Sequence, residues 1–310
     1  MFFMLFLILG SHSTSAHRIV MEPEDELIKG ESLSLRAFKI LFKQKHVVFC
    51  FILIFIYILI GIAGYLNLVP DFQLRVGESY EAPSWTFAKL CGTDVFGRST
   101  LYKVLAGAKT AITMGFIVSL ITIPWGLALG ALSGYFGGKV DHVIIWFYSV
   151  VASVPGILLI IAISYTLGKG LLAVCVAMAA TYWVGLCRMI RGEFIKHKNL
   201  EYVLACKLYG AGHFTIIIKH MLPNVIHLAI ITASLVVLSA IKSEVLLTYI
   251  GVGIQDGASW GSMIADVPGE LVNGIWWPLA TVGFAMFFII YPLNVVGDAL
   301  RDALDPKLLS

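Results

Sequence analysis

Six stretches of this chain, 47–68, 111–135, 143–167, 171–187, 225–251 and 276–296, carry little or no charge and are long enough to cross a bilayer. Hydrophobic residues make up 59% of the 310 and charged residues 13%, a balance that soluble domains do not show. The chain therefore reads as an all-α integral membrane protein with about six transmembrane helices. An even number of crossings leaves both ends on one side, and the basic residues say which side. Of the 22 Lys and Arg residues, 15 fall on the side of the N-terminus and 6 on the other, with Lys242 inside a span. Both termini are accordingly expected in the cytoplasm of a multi-pass protein of the cell (inner or plasma) membrane.

That orientation gives a map. Residues 21–46 form a cytoplasmic tail, 47–68 the first span, 69–110 an outer loop, 111–300 the core and 301–310 a second cytoplasmic tail. Residues 1–20 are apolar at their start but lack the positive flank of a signal peptide. Met21 opens a polar stretch suited to a natural start, so 1–20 are expected to be an upstream extension. The five cysteines, Cys50, Cys91, Cys175, Cys187 and Cys206, follow no metal or disulfide spacing and read as small packing residues.

Between the fourth and fifth spans lies a polar island, EYVLACKLYGAGHFTIIIKHMLPN from Glu201 to Asn224. Asn199 is placed as an N-cap and Glu201 in the first turn, where a negative charge suits the helix dipole. Leu204, Leu208, Ala211 and Thr215 share one stripe and are expected to be its buried side. Gly210 and Gly212 interrupt the helix, and a second piece follows with Phe214, Ile217, Ile218 and Met221 in register until Pro223. The island reads as helix, glycine turn, helix, facing the cytoplasm. By itself such a loop is read equally well as a solvated connection.

Its residue pattern narrows the choice. Glu201, Tyr202, Val203, Ala205, Gly210, Ala211, His220, Leu222, Pro223 and Asn224 match a form of the EAA loop, EYVxAAxxxGA…RHxLPN. The chain thereby resembles the permeases of ATP-binding-cassette importers, in which this loop is the coupling helix that docks into a cleft of the cytoplasmic ATPase. Further segments resemble the dipeptide, oligopeptide and nickel branch, C-type subunit: Gly92 to Arg98 (GTDVFGR), Gly107 to Lys109 (GAK), Ser133 to Gly138 (SGYFGG), Ser259 to Met263 (SWGSM) and Asn294 to Pro306 (NVVGDALRDALDP). Two departures fall inside the loop. Leu204 stands where the family usually has the motif's glutamate, and Cys206 replaces its second alanine.

The resemblance implies a permease subunit that pairs with a second, homologous permease. Two cytoplasmic ATPase subunits and an extracytoplasmic substrate-binding protein would complete an importer of short peptides in the bilayer, working by alternating access. Nickel or a metal chelate is the alternative cargo. No nucleic-acid partner, bound metal or cofactor is implied. The sequence has no GxxxxGK[ST] loop, so the chain reads as a transport subunit rather than an enzyme, with ATP bound and hydrolysed by its partners. Glu201, Tyr202, Ala205, Cys206, Gly210, Ala211, Leu222 and Pro223 are the expected ATPase-coupling residues within a loop of 199–224.

Outside the island, Lys242 and Glu244 are the ionisable groups placed deepest in a span, and they are candidates for the translocation path or for pairing with a neighbouring subunit. Two residues apart, they do not share a helix face. Asp94, Gly97 and Arg98 form an outer motif, read either as a capped turn or as a substrate contact, with Asp94 and Arg98 spaced to pair. The segment 251–275 lacks Lys and Arg, carries Asp256, Asp266 and Glu270, and suits a surface facing a binding protein. Gly134, Gly137 and Gly138 suit a tight turn between neighbouring helices. Trp260, Trp276 and Trp277 are read as interface anchors, and His227 as a helix-end residue. An ion-coupled secondary transporter would need more carboxylates at mid-membrane than Glu244 supplies, and a membrane enzyme would need converging polar groups at one depth.

Overall fold

A computed structural model describes residues 41–168, 170–254 and 257–304, and the expectations for 1–40, Lys169, Asp256 and 305–310 lie outside it. Among the described residues the chain is helical apart from turns, loops and two isolated antiparallel bridges, Arg75 with Arg98 and Thr93 with Ser99. The helices are α1 (Lys45–Tyr65), α2 (Thr100–Phe136), α3 (Gly138–Ala152), α4 (Gly156–Leu167), α5 (Leu171–His197) and α6 (Glu201–Leu208). They are followed by α7 (His213–Tyr249), α8 (Trp260–Val272) and α9 (Trp277–Leu304). Helices α1, α2, α5, α7 and α9 are each long and apolar enough to cross a membrane. The count reaches six if α3 and α4 form one broken span.

That break revises the third expected span. Residues 143–167 fall in two helices bent by 87°. Pro155 has no N–H to donate and disfavours helical geometry at the residue before it, so the chain turns there. The helix restarts with Leu158 and Leu159 donating to the Pro155 carbonyl at 3.0 and 3.1 Å. Other boundaries move outward. The second helix starts at Thr100 rather than 111 because its polar residues find partners: Lys109 Nζ donates to Gly64 O at 3.2 Å and Thr110 Oγ1 to Ala258 O at 2.9 Å. The fourth runs on to His197, and the last passes through Arg301 to Leu304.

Packing is densest where α2 lies along α5. Gly126, Gly130 and Gly134 recur every four residues on α2 and form the small-residue stripe that lets membrane helices approach closely. A Cβ at Gly130 would stand 2.7 Å from Cys187 O, and one at Gly134 2.5 Å from Phe194 Cβ. Gly134 is therefore a helix contact rather than a turn residue. The turn into α3 rests on Gly137 and Gly138, at φ of 66° and 52°. At this end Arg191 on α5 grips Asp141 on α3 through both oxygens, Nε at 2.6 Å and Nη2 at 2.7 Å, and Ser133 of α2 donates to the same carboxylate.

Helix α1 packs on α2, α7 packs on both α2 and α5, and α9 packs on α1 and α7. The outward face of α1 is apolar, with Phe49, Ile52, Phe55, Leu59 and Ile62 all exposed on this chain, as suits a helix among lipids or partner helices. Residues 69–99 form a cap at the end of the bundle where α2 begins, and α6 lies at the opposite end. Two of the three tryptophans read as interface anchors are instead core residues. Trp260 is fully buried, donates to Val104 O at 3.0 Å and covers Gly107. Trp277 is buried and donates to Thr93 O at 3.1 Å, tying α9 to the cap, while Trp276 remains exposed.

Candidate functional site

The island from Glu201 to Asn224 folds as a helical hairpin across the end of the bundle. Its first helix, α6, carries Glu201 in the first turn and Lys207 in the last, each charge opposing the dipole end beside it. Leu200, not Asn199, holds the N-cap position, and no side chain caps it. Gly210 ends the helix in the left-handed region at φ 76°. The Gly210 N–H donates to Lys207 O and the Ala211 N–H to Cys206 O, both at 3.0 Å, the paired bonds of a Schellman cap. A side chain at Gly210 would meet no atom within 4 Å, so glycine is required there by backbone conformation alone.

Gly212 leads into α7, which opens with one α turn, His213–Thr215, then a π-helical stretch, Ile216–Met221, before continuing as α-helix from Leu222. Pro223 sits in the first turn of that last part, where its missing N–H costs least. Backbone bonds thus run almost unbroken from the hairpin into a spanning helix. The π stretch changes which side chains face inward.

Consequently the buried face differs from the expected stripe. Val203 is fully buried, with Ile216, Ile217 and Met221, against Ala131 and Tyr135 of α2 and Leu186, Ile190 and Phe194 of α5. Tyr202, Cys206, Ala211 and Leu222 fill in around them. Leu204, Leu208, Phe214 and Ile218 point away, and Tyr209 at the tip is 91% exposed. The hairpin therefore turns one apolar face into its own bundle and a second outward. Two matching bonds fix its ends: Tyr202 Oη lies 2.8 Å from His197 Nδ1 at the end of α5, and Tyr135 Oη lies 2.8 Å from His213 Nδ1 at the start of α7. The spacing of these residues in sequence offers no signal for either bond.

Lys242 and Glu244 part company on α7. Lys242 is exposed, beside an apolar notch lined by Val245, Leu246, Tyr249, Ile264 and Met286, and no carboxylate among the described residues reaches it. Glu244 is 1% exposed and turned into the chain. Its Oε1 accepts from Thr248 Oγ1 at 2.9 Å, Thr248 Oγ1 accepts from the Ile254 N–H at 3.1 Å, and the Ser259 hydroxyl is a further partner of the carboxylate. Glu244 thus braces the approach to α8 and reaches no surface of this chain. His227 lies half-buried in the interior of α7, several turns from either end, rather than at a helix end.

The outer motif is a built turn. Asp94 is 3% exposed, and its Oδ1 accepts the N–H groups of Phe96 and Arg98, each at 2.9 Å. Its ion pair is with Lys103, Nζ to Oδ2 at 2.5 Å, rather than with the Arg98 side chain, whose guanidinium stacks 4.5 Å over the Phe96 ring. Gly97 takes φ 72°, and its carbonyl accepts from Val76 and Gly77 at 2.8 and 3.2 Å, holding the strand-like segments of the cap together.

Residues 126–310, from the middle of α2 through the hairpin to the C-terminus, match the family described as the binding-protein-dependent transport system inner membrane component. The chain is 36% identical over 262 residues to the dipeptide transport system permease protein DppC of Bacillus subtilis, covering 83% of this chain and 80% of that one. It is 32% identical over 286 residues to the oligopeptide transport system permease protein OppC of Haemophilus influenzae, covering 92% of each. It is 30% identical over 264 residues to the glutathione transport system permease protein GsiD of Pectobacterium atrosepticum, covering 83% and 86%.

Proposed function

This chain belongs to the family of binding-protein-dependent transport system inner membrane components, and from that footing we propose that it is a permease subunit of an ATP-driven importer of short peptides. Its partners are a second permease, two cytoplasmic ATPase subunits and an extracytoplasmic binding protein. Both termini and the hairpin lie in the cytoplasm, and the cap lies outside. The relatives named for dipeptides, oligopeptides and glutathione support the cargo class, since all three are small peptides.

The observation that carries the coupling role is the doubled apolar face of the hairpin. Val203, Ile216 and Met221 fasten it to α2, α5 and α7, while Leu204, Leu208, Tyr209 and Phe214 are left for a partner. Exposed aromatic and aliphatic side chains grouped at one tip are what a docking site requires. The tyrosine-histidine bonds at both ends make the hairpin move with the spans. Closure of the ATPases then reaches α7 as displacement of a stiff element, the rigid-body class of switching. Lacking the motif's glutamate at Leu204, the contact is apolar at that position. On this reading Lys242 contributes to the translocation path; its exposure on α7 with no carboxylate of the described residues in reach supports that, since a cation at membrane depth needs water or a counter-charge. Glu244 acts behind it as a brace.

Purification of the membrane complex tests this reading. An ATPase subunit should copurify with the wild-type chain and be lost from a Leu208→Asp/Tyr209→Asp variant that still reaches the membrane. Equal recovery of the ATPase with both would contradict it.

A further inference from the structure

At the cap end, the carboxylates of Asp94, Asp266 and Glu270 lie in one cluster with a single lysine, Lys103, which pairs with Asp94. Glu270, near the C-terminal end of α8, is 5% exposed, and its Oε2 has no hydrogen-bond partner among the described residues. The charges that act on it are Asp266, one turn earlier on the same helix, Lys103 in the first turns of α2, and Asp94 in the cap. Tyr80 of the cap belongs to the same cluster, since Glu270, Asp266 and Asp94 all act on its hydroxyl. Lys103 is already held by Asp94 at 2.5 Å. An ionised Glu270 would therefore sit largely out of water beside two like charges, with the one cation that acts on it already paired to Asp94.

We propose that Glu270 is a proton-operated latch on the seam where the cap, α2 and α8 meet: neutral, it lets the cap seat against α8, and ionised, it loosens that seam. The cap gains stability at this point only while Glu270 keeps its proton, because burial and the carboxylates of Asp266 and Asp94 oppose its charge. Burial, with Asp266 second, raises its pKa to about 7, inside the range that external media span. Asp94 itself is held by Lys103 and two backbone N–H groups. The latch also sits at one end of a helix whose other end is tied to α7. There Ser259 and Ser262 form a capping box, and Gly261 packs on Thr248, the partner of Glu244. Loosening the seam frees the outer end of α8 while its start stays fixed.

Amide exchange on the full chain in lipid nanodiscs, read by mass spectrometry between pH 5.5 and 8.5 and corrected for intrinsic rates, tests this. The reporting amides are those of 92–99, where Thr93 donates to Glu81 O and Asp94 to Arg98 O, each at 3.0 Å. In the wild type their protection should fall by about tenfold per pH unit until about pH 7, where Glu270 ionises in the closed seam as well, and level off above it. Glu270→Gln should stay protected throughout. Asp266→Asn, at an exposed position and so safe for folding, should make the fall level off at lower pH by removing one like charge. Flat protection in the wild type, an unchanged transition in Glu270→Gln, or an unmoved levelling-off point in Asp266→Asn would overturn the latch.

Discussion

The Tyr202 hydroxyl lies 2.8 Å from Nδ1 of His197, joining the first turn of the hairpin to the last turn of the spanning helix before it. Among the described residues it is the one side-chain hydrogen bond that ties α6 to α5 across their three-residue link, beside the packing of Val203 against the bundle. Tyr202→Phe should cost about 1 kcal/mol of local stability, the net worth of one such bond. The expected result is normal assembly with weakened coupling, seen as more ATP hydrolysed per peptide imported. Tyr135→Phe, which removes the matching bond to His213, should behave alike, and the double variant should be worse than either.

Gly210 separates backbone need from space. Because a Cβ there meets nothing, Gly210→Ala should cost only the left-handed conformation, about 1–2 kcal/mol, and leave measurable uptake. Gly210→Pro forbids the positive φ and removes the N–H that bonds Lys207 O, so uptake and ATPase binding should both be lost. Leu204→Ala should be mild. Uptake in proteoliposomes alongside copurification of the ATPase checks all three.

On α2 the limit is steric. Gly130→Val should drive the helix off α5, since its Cβ alone would stand 2.7 Å from Cys187 O. A loss of more than about 3 kcal/mol is expected, beyond ordinary overpacking because backbone is the obstacle. Thermal unfolding in detergent should show it, together with low yield. Gly192→Ala on α5 meets nothing within 4 Å and should be neutral.

Glu244→Gln keeps a carbonyl oxygen for Thr248 and should preserve the fold, while Glu244→Leu strands the hydroxyls of Thr248 and Ser259 and should disorder the approach to α8. Proteolysis between α7 and α8 reads the difference. Lys242→Gln should instead leave the fold intact and lower uptake.

Stability should also depend on pH. Glu270 holds its proton more tightly in the fold than in an unfolded chain, so the stabilisation is complete below the ordinary value of 4.5 and is lost as pH rises to about 7. The melting temperature should fall over that window in the wild type, and the fall should shrink in Glu270→Gln.

Hydropathy placed every long helix of the bundle, because length and lack of charge are properties of the local chain. It could not see that the 143–167 run folds back at Pro155, since both halves are equally apolar. Helical spacing put Leu204 and Leu208 inside the hairpin, whereas Val203 is the buried residue. Which face turns inward is set by how the Schellman cap and the π turns aim the chain against α2 and α5, and neither is encoded in apolar period. Trp260 differs from an interface anchor for a similar reason: its burial depends on Gly107, more than 150 positions earlier, leaving room for its ring. The carboxylate cluster was half legible. Asp94, Asp266 and Glu270 stood out as charges, but only the fold brings them around Lys103.

The coupling role of the hairpin is tested most directly by peptide uptake per ATP hydrolysed in proteoliposomes holding the assembled transporter, wild type against Leu208→Asp/Tyr209→Asp. Those side chains touch nothing in the bundle core and lie at the exposed tip, so folding should be unaffected. The variant should lose ATPase binding and show uptake at the level of empty vesicles. Uptake and ATP consumption equal to the wild type would contradict the assignment of residues 201–224 as the coupling element.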